Sequence, residues 1–238
     1  EIIQNKKKNT AFNMTIQRNG EEQTFSVKTT TLSLPQITSN IYEREDKKVG
    51  YIKIEIFSSN IAEQFESALK ELESDGIDRL IIDVRDNPGG YLTQTTEILS
   101  LFMTKKQVLY QLATKKETEK VYGTKSKVDR NYPVAVLINE ESASAAEILA
   151  SAFKENLNSE IIGVTSYGKG TVQRTEDLEN GDTIKYTVQK WLTPDGNWIN
   201  ETGVTPTQEV ELNLAAGETL ADENDTQLQR AIEVICEK

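Results

Sequence analysis

Three apolar runs constrain the fold of this chain more than any other feature: RLIIDV at 79–84, PVAVLIN at 133–139 and EIIGV at 160–164. A strand with one face in water alternates apolar and polar residues, whereas a nearly unbroken apolar run suits a strand buried within a sheet. Helical patterns lie between these runs. Ile61, Phe65, Ala68, Leu69 and Leu72 recur at helical spacing between Asn60, a residue suited to the N-cap, and Ser74. Further helices are expected over residues 93–103 and over SASAAEILASAFKEN at 142–156. KVGYIKIEIF (48–57) alternates as a strand, other strands are expected at 107–112, 171–175 and 183–192, and TPDG (193–196) turns the chain. Strands alternating with helices indicate a layered α/β core of mixed sheet and helices.

The flanks read differently. Phe12, Met14 and Ile16, then Asn19-Gly20, then Phe25 and Val27 spell a β-hairpin over residues 12–28. A Ser/Thr-rich linker with Pro35 follows, placed at 33–47, and the polar, lysine-rich stretch 113–131 reads as an exposed excursion. The opening EIIQNKKKNT lacks the apolar stretch of a signal peptide, which puts any targeting segment outside this sequence. No apolar run approaches the roughly 18 residues that a bilayer span needs, so no direct membrane insertion is expected.

Two absences narrow the chemistry. The chain has no histidine, which excludes a Ser-His-Asp triad and a Cys-His pair and removes the commonest metal ligand. Its single cysteine, Cys236, excludes an internal disulfide framework and a thiolate zinc site. No metal or cofactor is expected. The net charge of −11 lacks the basic footprint of a nucleic-acid partner. An activated hydrolytic side chain would therefore need Lys, Asp, Glu or Tyr as its base.

Three loops follow apolar strands, where active-site loops of open α/β sheets lie: RDNPGG (85–90), ESASAAE (141–147) and YGKGTVQ (167–173). Each has an ordinary reading. Ser142 and Ser144 stand where serine caps helices, NPGG is a turn, and Lys169 is a solvated loop lysine. Each also has a chemical one. A hydroxyl at a helix N-terminus faces unpaired N–H groups, so the Ala145 N–H is a natural oxyanion donor. Gly89 or Gly90 lets backbone approach a ligand and offers a second donor. Residues 163–170, GVTSYGKG, also match a phosphate-binding G-x-x-x-x-G-K, but with Gly170 where Ser or Thr would hold magnesium.

Taken together, the loops resemble the carboxyl-terminal processing peptidases of the serine-lysine type, peptidase family S41. Ser144 within SASAAE matches the family's nucleophile, Lys169 within GKGTVQ its general base, and Gln173 the residue that orients that lysine. RDNPGG resembles the oxyanion loop, with Ala145 and either Gly89 or Gly90 as donors. The resemblance runs from about Val49 to Val210 and includes VGYIKIEIF and TPDG; Glu141, where glycine is common, and Thr207, where Asp is usual, depart from it.

The resemblance implies a ClpP/crotonase-like protease core over 48–212, a C-terminal helical tail packing on it over 213–238, and, over 1–32, the last strands of a PDZ domain. It also implies an endopeptidase acting on extended or unfolded polypeptide segments near their carboxyl ends, at a bacterial extracytoplasmic site, with a homo-oligomer or an adaptor as further partners. An unperturbed lysine has a pKa of about 10.4, so Lys169 is expected to be shielded, because burial favours the neutral amine. The alternatives are a peptide-binding relative without activity and a degenerate phosphate-loop nucleotide binder.

Overall fold

The structure, a computed structural model, describes residues 7, 9–30, 36–213 and 220–237. Parts of the expected linker (33–35) and of the expected helical tail (214–219 and 238) lie outside them. The chain divides into two compact units, Glu1–Pro35 and Gln36–Lys238.

The first unit is the hairpin expected from the sequence. Strands β1 (Ala11–Arg18) and β2 (Glu21–Lys28) pair antiparallel, with Phe12 opposite Val27 and Met14 opposite Phe25. Asn19 and Gly20 have φ of 55° and 85°, the left-handed pair whose twist suits a two-residue hairpin.

The second unit opens with a strand where a linker was expected. β3 (Ile37–Arg44) pairs antiparallel with β4 (Lys47–Ile54). Glu45 and Asp46, at φ 51° and 64°, make the same kind of tight turn without Asn or Gly. The chain then runs through α1 (Ile61–Ser74), β5 (Arg79–Asp83), α2 (Leu92–Leu99), β6 (Val108–Ala113), β7 (Thr118–Tyr122), β8 (Val134–Ile138), α3 (Ala145–Leu157) and β9 (Glu160–Gly163). It ends through β10 (Thr171–Asp177), β11 (Thr183–Leu192), β12 (Gln208–Glu209) and α4 (Thr226–Cys236). Asn60 occupies the N-cap of α1, but its side chain makes no capping bond; it accepts from Ser58 Oγ instead. The excursion at 113–131 contains β7, which pairs with β6.

The six-stranded sheet has the order β12-β9-β8-β5-β4-β3, parallel except for the antiparallel edge β3. Side chains alternate across it. Leu80, Ile82, Val136, Ile138 and Ile161 join Phe65, Leu69, Ile98, Leu149 and Phe153 of α1, α2 and α3 in one core. Ile81, Ala135, Leu137 and Ile162 point the other way, onto Leu228, Ala231, Ile232 and Ile235 of α4. Burial on both faces is why the sequence shows near-continuous apolar runs rather than alternation. A second, antiparallel sheet, β10-β11-β6-β7, carries the other wall of the site.

A buried ion cluster ties α4 to the end of β5. The Arg85 guanidinium donates to Asp83 Oδ2 (2.6 Å), to Asp225 Oδ2 (2.7 Å) and Oδ1 (2.9 Å), and to Gln227 Oε1 (3.0 Å). Tyr51 OH donates to Asp83 at 2.7 Å, and Asp225 also caps α4 by accepting from Leu228 N–H. Burial opposes the Arg85 charge, but the two carboxylates outweigh it and hold its pKa above the ordinary value. Removing one partner of a buried pair strands the other, so Asp225→Ala is expected to lower stability by about 3 kcal/mol. A urea titration reads this as a lower midpoint with an unchanged slope; an unmoved midpoint would show that the cluster contributes nothing net.

Candidate active site

Two strand ends and a helix start form the Ser144 side of the site. The helix expected from Ser142 begins at Ala145 as α3, which puts Ser144 at its N-cap and Ser142 before it. Ser142 is buried structure: its hydroxyl donates to Val84 O (2.7 Å) and accepts from Asn139 N–H (2.9 Å). Ser144 sits at the N-cap with φ 55° and ψ −111°. That region is rare for a side-chain-bearing residue, costs on the order of 1–3 kcal/mol and persists only where the surroundings hold it. Here Ser144 N–H donates to Glu147 Oε2 (2.7 Å), and the neighbouring Ala143 N–H to Asn87 O (2.9 Å).

RDNPGG lies directly against this serine. Gly89 has φ 98°, and a Cβ there would meet Ala143 O and Ser144 Cβ, both at 2.8 Å, and Ala145 N at 3.0 Å. Gly90, at φ 145°, presses on Phe57, whose carbonyl oxygen a Cβ would meet at 2.1 Å. The two glycines differ in one respect that sequence left open. Gly89 N–H donates to Asn87 Oδ1 at 2.8 Å. Gly90 N–H has no partner among the described residues, and neither has Ala145 N–H.

The lysine loop is held on nearly every backbone group. The fully buried Glu147 receives Lys169 N–H on Oε2 (2.9 Å), and Gly168 N–H (2.7 Å) and Ser166 Oγ (2.6 Å) on Oε1. One carboxylate thus binds both the Ser144 backbone and the Lys169 backbone. On the far side, Glu201 N–H donates to Gly168 O (2.8 Å) and Gly170 N–H to Asn200 Oδ1 (3.2 Å). Two indoles complete the frame: Trp191 Nε1 donates to Lys169 O (2.6 Å) and Trp198 Nε1 to Gly170 O (2.9 Å). The Lys190 ammonium stands 3.6 Å from the centroid of the Trp198 ring, a cation–π contact that steadies this half-exposed side chain.

Trp198→Phe keeps the ring and deletes the N–H donor. The expected result is a three- to tenfold fall in kcat, on the order of what a loosened catalytic group costs, with KM little changed. The loss in stability should stay within about 1 kcal/mol. A rise in KM at constant kcat would place Trp198 in substrate binding instead.

Ser144, Lys169, Gln173, Gly89 and Gly90 all line one cavity of about 490 Å³, with Ile56, Leu92, Val172 and Trp191 among its apolar residues. Lys169 is half-buried, neither enclosed nor free in solvent. No hydrogen bond joins the Ser144 and Lys169 side chains, or Lys169 Nζ to Gln173, among the described residues. Catalytic contacts often close only around substrate. Thr171, Val172 and Gln173 are successive residues of β10, yet all three line the cavity. A regular strand would send alternate side chains to opposite faces. The register shift between Val172 and Gln173, against Gln189 and Thr187, re-aims them.

Glu147, Asn87, Trp191, Trp198 and Asn200 were not singled out from sequence. Glu147 had a signal, since Ser144-x-x-Glu147 is the spacing of a capping box; the other four had none. The nucleotide-binding alternative fails on geometry: GVTSYGKG leads into strand β10, whereas a phosphate loop opens a helix whose N-terminus holds the phosphate. No group of three or more His, Cys, Asp or Glu side chains among the described residues is arranged to hold a metal.

The family model described as "Peptidase family S41" matches residues 48–210. The chain is 43% identical over 203 residues to the carboxy-terminal processing protease CtpB of Bacillus subtilis, covering 84% of this chain and 42% of that protein. It is 37% identical over 187 residues to CtpA of the same organism, covering 79% of this chain and 40% of that one. It thus spans about two fifths of the length of these relatives. Among solved structures it resembles the photosystem II D1 C-terminal processing protease, with a TM-score of 0.67 at 24% identity over 86% of this chain and 56% of that one. It also resembles an S41 protease of Bacteroides fragilis, with a TM-score of 0.70 at 17% identity over 94% of this chain and 65% of that one. These two likenesses concern the fold, which is the expected mixed α/β protease core; the family match and the CtpB likeness go further, and the chain belongs to peptidase family S41.

Proposed function

We propose that the chain carries a serine endopeptidase site in which Ser144 is the nucleophile, Lys169 the general base and Gln173 the group that orients the lysine. One observation supports the reading above others: Ser144, Lys169, Gln173 and the unpartnered Gly90 N–H meet at one cavity. Ser144 Oγ attacks the scissile carbonyl carbon as its proton passes to the neutral Lys169 amine. The oxyanion is received by the N–H groups of Ala145 and Gly90, because Gly89 N–H is already engaged by Asn87. Lys169 returns the proton to the leaving nitrogen as the C–N bond breaks, and then deprotonates the water that releases the acyl group.

The substrate in this reading is an extended or unfolded polypeptide cut near its carboxyl end, as the names of the Bacillus relatives suggest for those proteins. Among the described residues no helix is long and apolar enough to cross a membrane. The test is proteolysis of unfolded casein by the parent chain, Ser144→Ala and Lys169→Ala. Cleavage abolished by both changes is expected; cleavage surviving both would overturn the assignment. An inactive parent chain would favour a peptide-binding relative.

A further inference from the structure

This inference rests on the peptidase reading of the cavity and concerns what the cavity admits. The cavity is lined by two lysines, Lys169 and Lys185, and by no Asp or Glu. That is unusual for a chain with 38 acidic and 27 basic residues. Lys169 is held by its backbone, and its role requires the neutral amine. Lys185 is different. It lies on β11 opposite Thr175 of β10, is exposed, and its ammonium makes no hydrogen bond or ion pair with any described residue. Several other lysines are engaged: Lys154 with Thr205 O, Lys190 with the Trp198 ring, and Lys53 with Glu55. Lys185 is therefore an uncommitted cation at the one cavity that holds the reactive groups.

We propose that Lys185 forms a carboxylate subsite, pairing with a carboxylate of the bound polypeptide a few residues from the scissile bond. Two chemical sources supply that group, the free terminal α-carboxylate of the segment or an Asp or Glu side chain. The acidic surface of the protein does not cancel the attraction. Charges more than a Debye length away, about 8 Å at physiological salt, are largely screened, whereas a carboxylate in direct contact with Lys185 is well within that distance. Ile56, Leu92, Val172 and Trp191 line the same cavity and offer apolar surface to the flanking part of the polypeptide. The same charge disfavours Lys or Arg at that position of the substrate, so the subsite selects as well as binds.

The experiment compares short apolar peptides that differ in one group, a free terminal acid against its amide and Glu against Gln at each position flanking the cut. The proteins are the parent, Lys185→Gln and Lys185→Glu. The parent should favour the carboxylate member of at least one pair by about three- to fivefold in kcat/KM at low salt, the scale of one exposed ion pair. Lys185→Gln should bring that ratio to one, and Lys185→Glu should invert it. The acid–amide pair reports a terminal carboxylate and the Glu–Gln pairs a side chain. A parent ratio of one in every pair, or a preference retained in Lys185→Gln, overturns the subsite. Binding of the same fluorescein-labelled peptides to the Ser144→Ala protein, read by anisotropy, gives the ratios without turnover. Failure of the peptidase reading, seen as no cleavage of any peptide, is thereby separated from failure of the subsite.

Discussion

Ser144→Ala and Lys169→Ala should each lower the rate of casein cleavage by at least about 10³-fold, and the double variant should lose no more than either alone. Residues that act as one unit are not additive, because removing the nucleophile leaves the base nothing to deprotonate. Neither change should unfold the protein. The Ser144 N–H bond to Glu147 is a backbone bond and survives in Ala, and every bond that pins the Lys169 segment also uses backbone atoms. The melting temperature should therefore stay near that of the parent while activity vanishes. Losses that multiply in the double variant would show that the two groups work independently and would sink the proposed pair.

Glu147→Ala is expected to damage stability and activity together. Its carboxylate accepts four hydrogen bonds in a fully buried position, from Ser144 N–H, Lys169 N–H, Gly168 N–H and Ser166 Oγ. Alanine would leave those donors without acceptors. The expected loss of stability is about 3–5 kcal/mol, the range seen when a buried charged hydrogen-bonding group is removed. Activity should fall at least 100-fold, because the carboxylate holds the Ser144 and Lys169 loops together, and in the proposed mechanism small displacements of those groups cost about that much. Glu147→Gln makes the test sharper. An amide offers one acceptor oxygen and one donor nitrogen, so one of the two donor pairs would face N–H against N–H. Its activity should fall well below that of the parent even if the fold survives. Parent-like kcat in Glu147→Gln would show that the carboxylate serves stability only.

Much of the core could be read locally. RLIIDV, PVAVLIN and EIIGV became β5, β8 and β9 because strands covered on both faces are apolar at nearly every position. The helical periodicity at 61–74 became α1 for the same kind of reason. β3 escaped because an edge strand is only partly covered: Ile37 and Ile41 are half-buried, and the intervening Thr38, Ser39 and Asn40 are exposed. Its turn also lacks the Asn-Gly pair that marked the β1–β2 hairpin. β7 escaped likewise, since Thr118, Glu119 and Lys120 are exposed on an edge strand.

The site divides along the same line. Sequence alone determined which residue types were available, with histidine absent and cysteine confined to Cys236, and it placed Ser144, Lys169, Gln173 and the glycine pair in three loops that follow buried strands. Those are statements about composition and short-range pattern. Only the tertiary structure decided that Glu147 binds two of those loops at once, that the Trp191 and Trp198 indoles grip the lysine segment, and that a register shift turns Gln173 toward the cavity. It also decided that Asn87 occupies Gly89 N–H and leaves Gly90 N–H open. A buried hydrogen bond goes to whichever partner packing brings within reach, and these partners come from segments far apart in the chain.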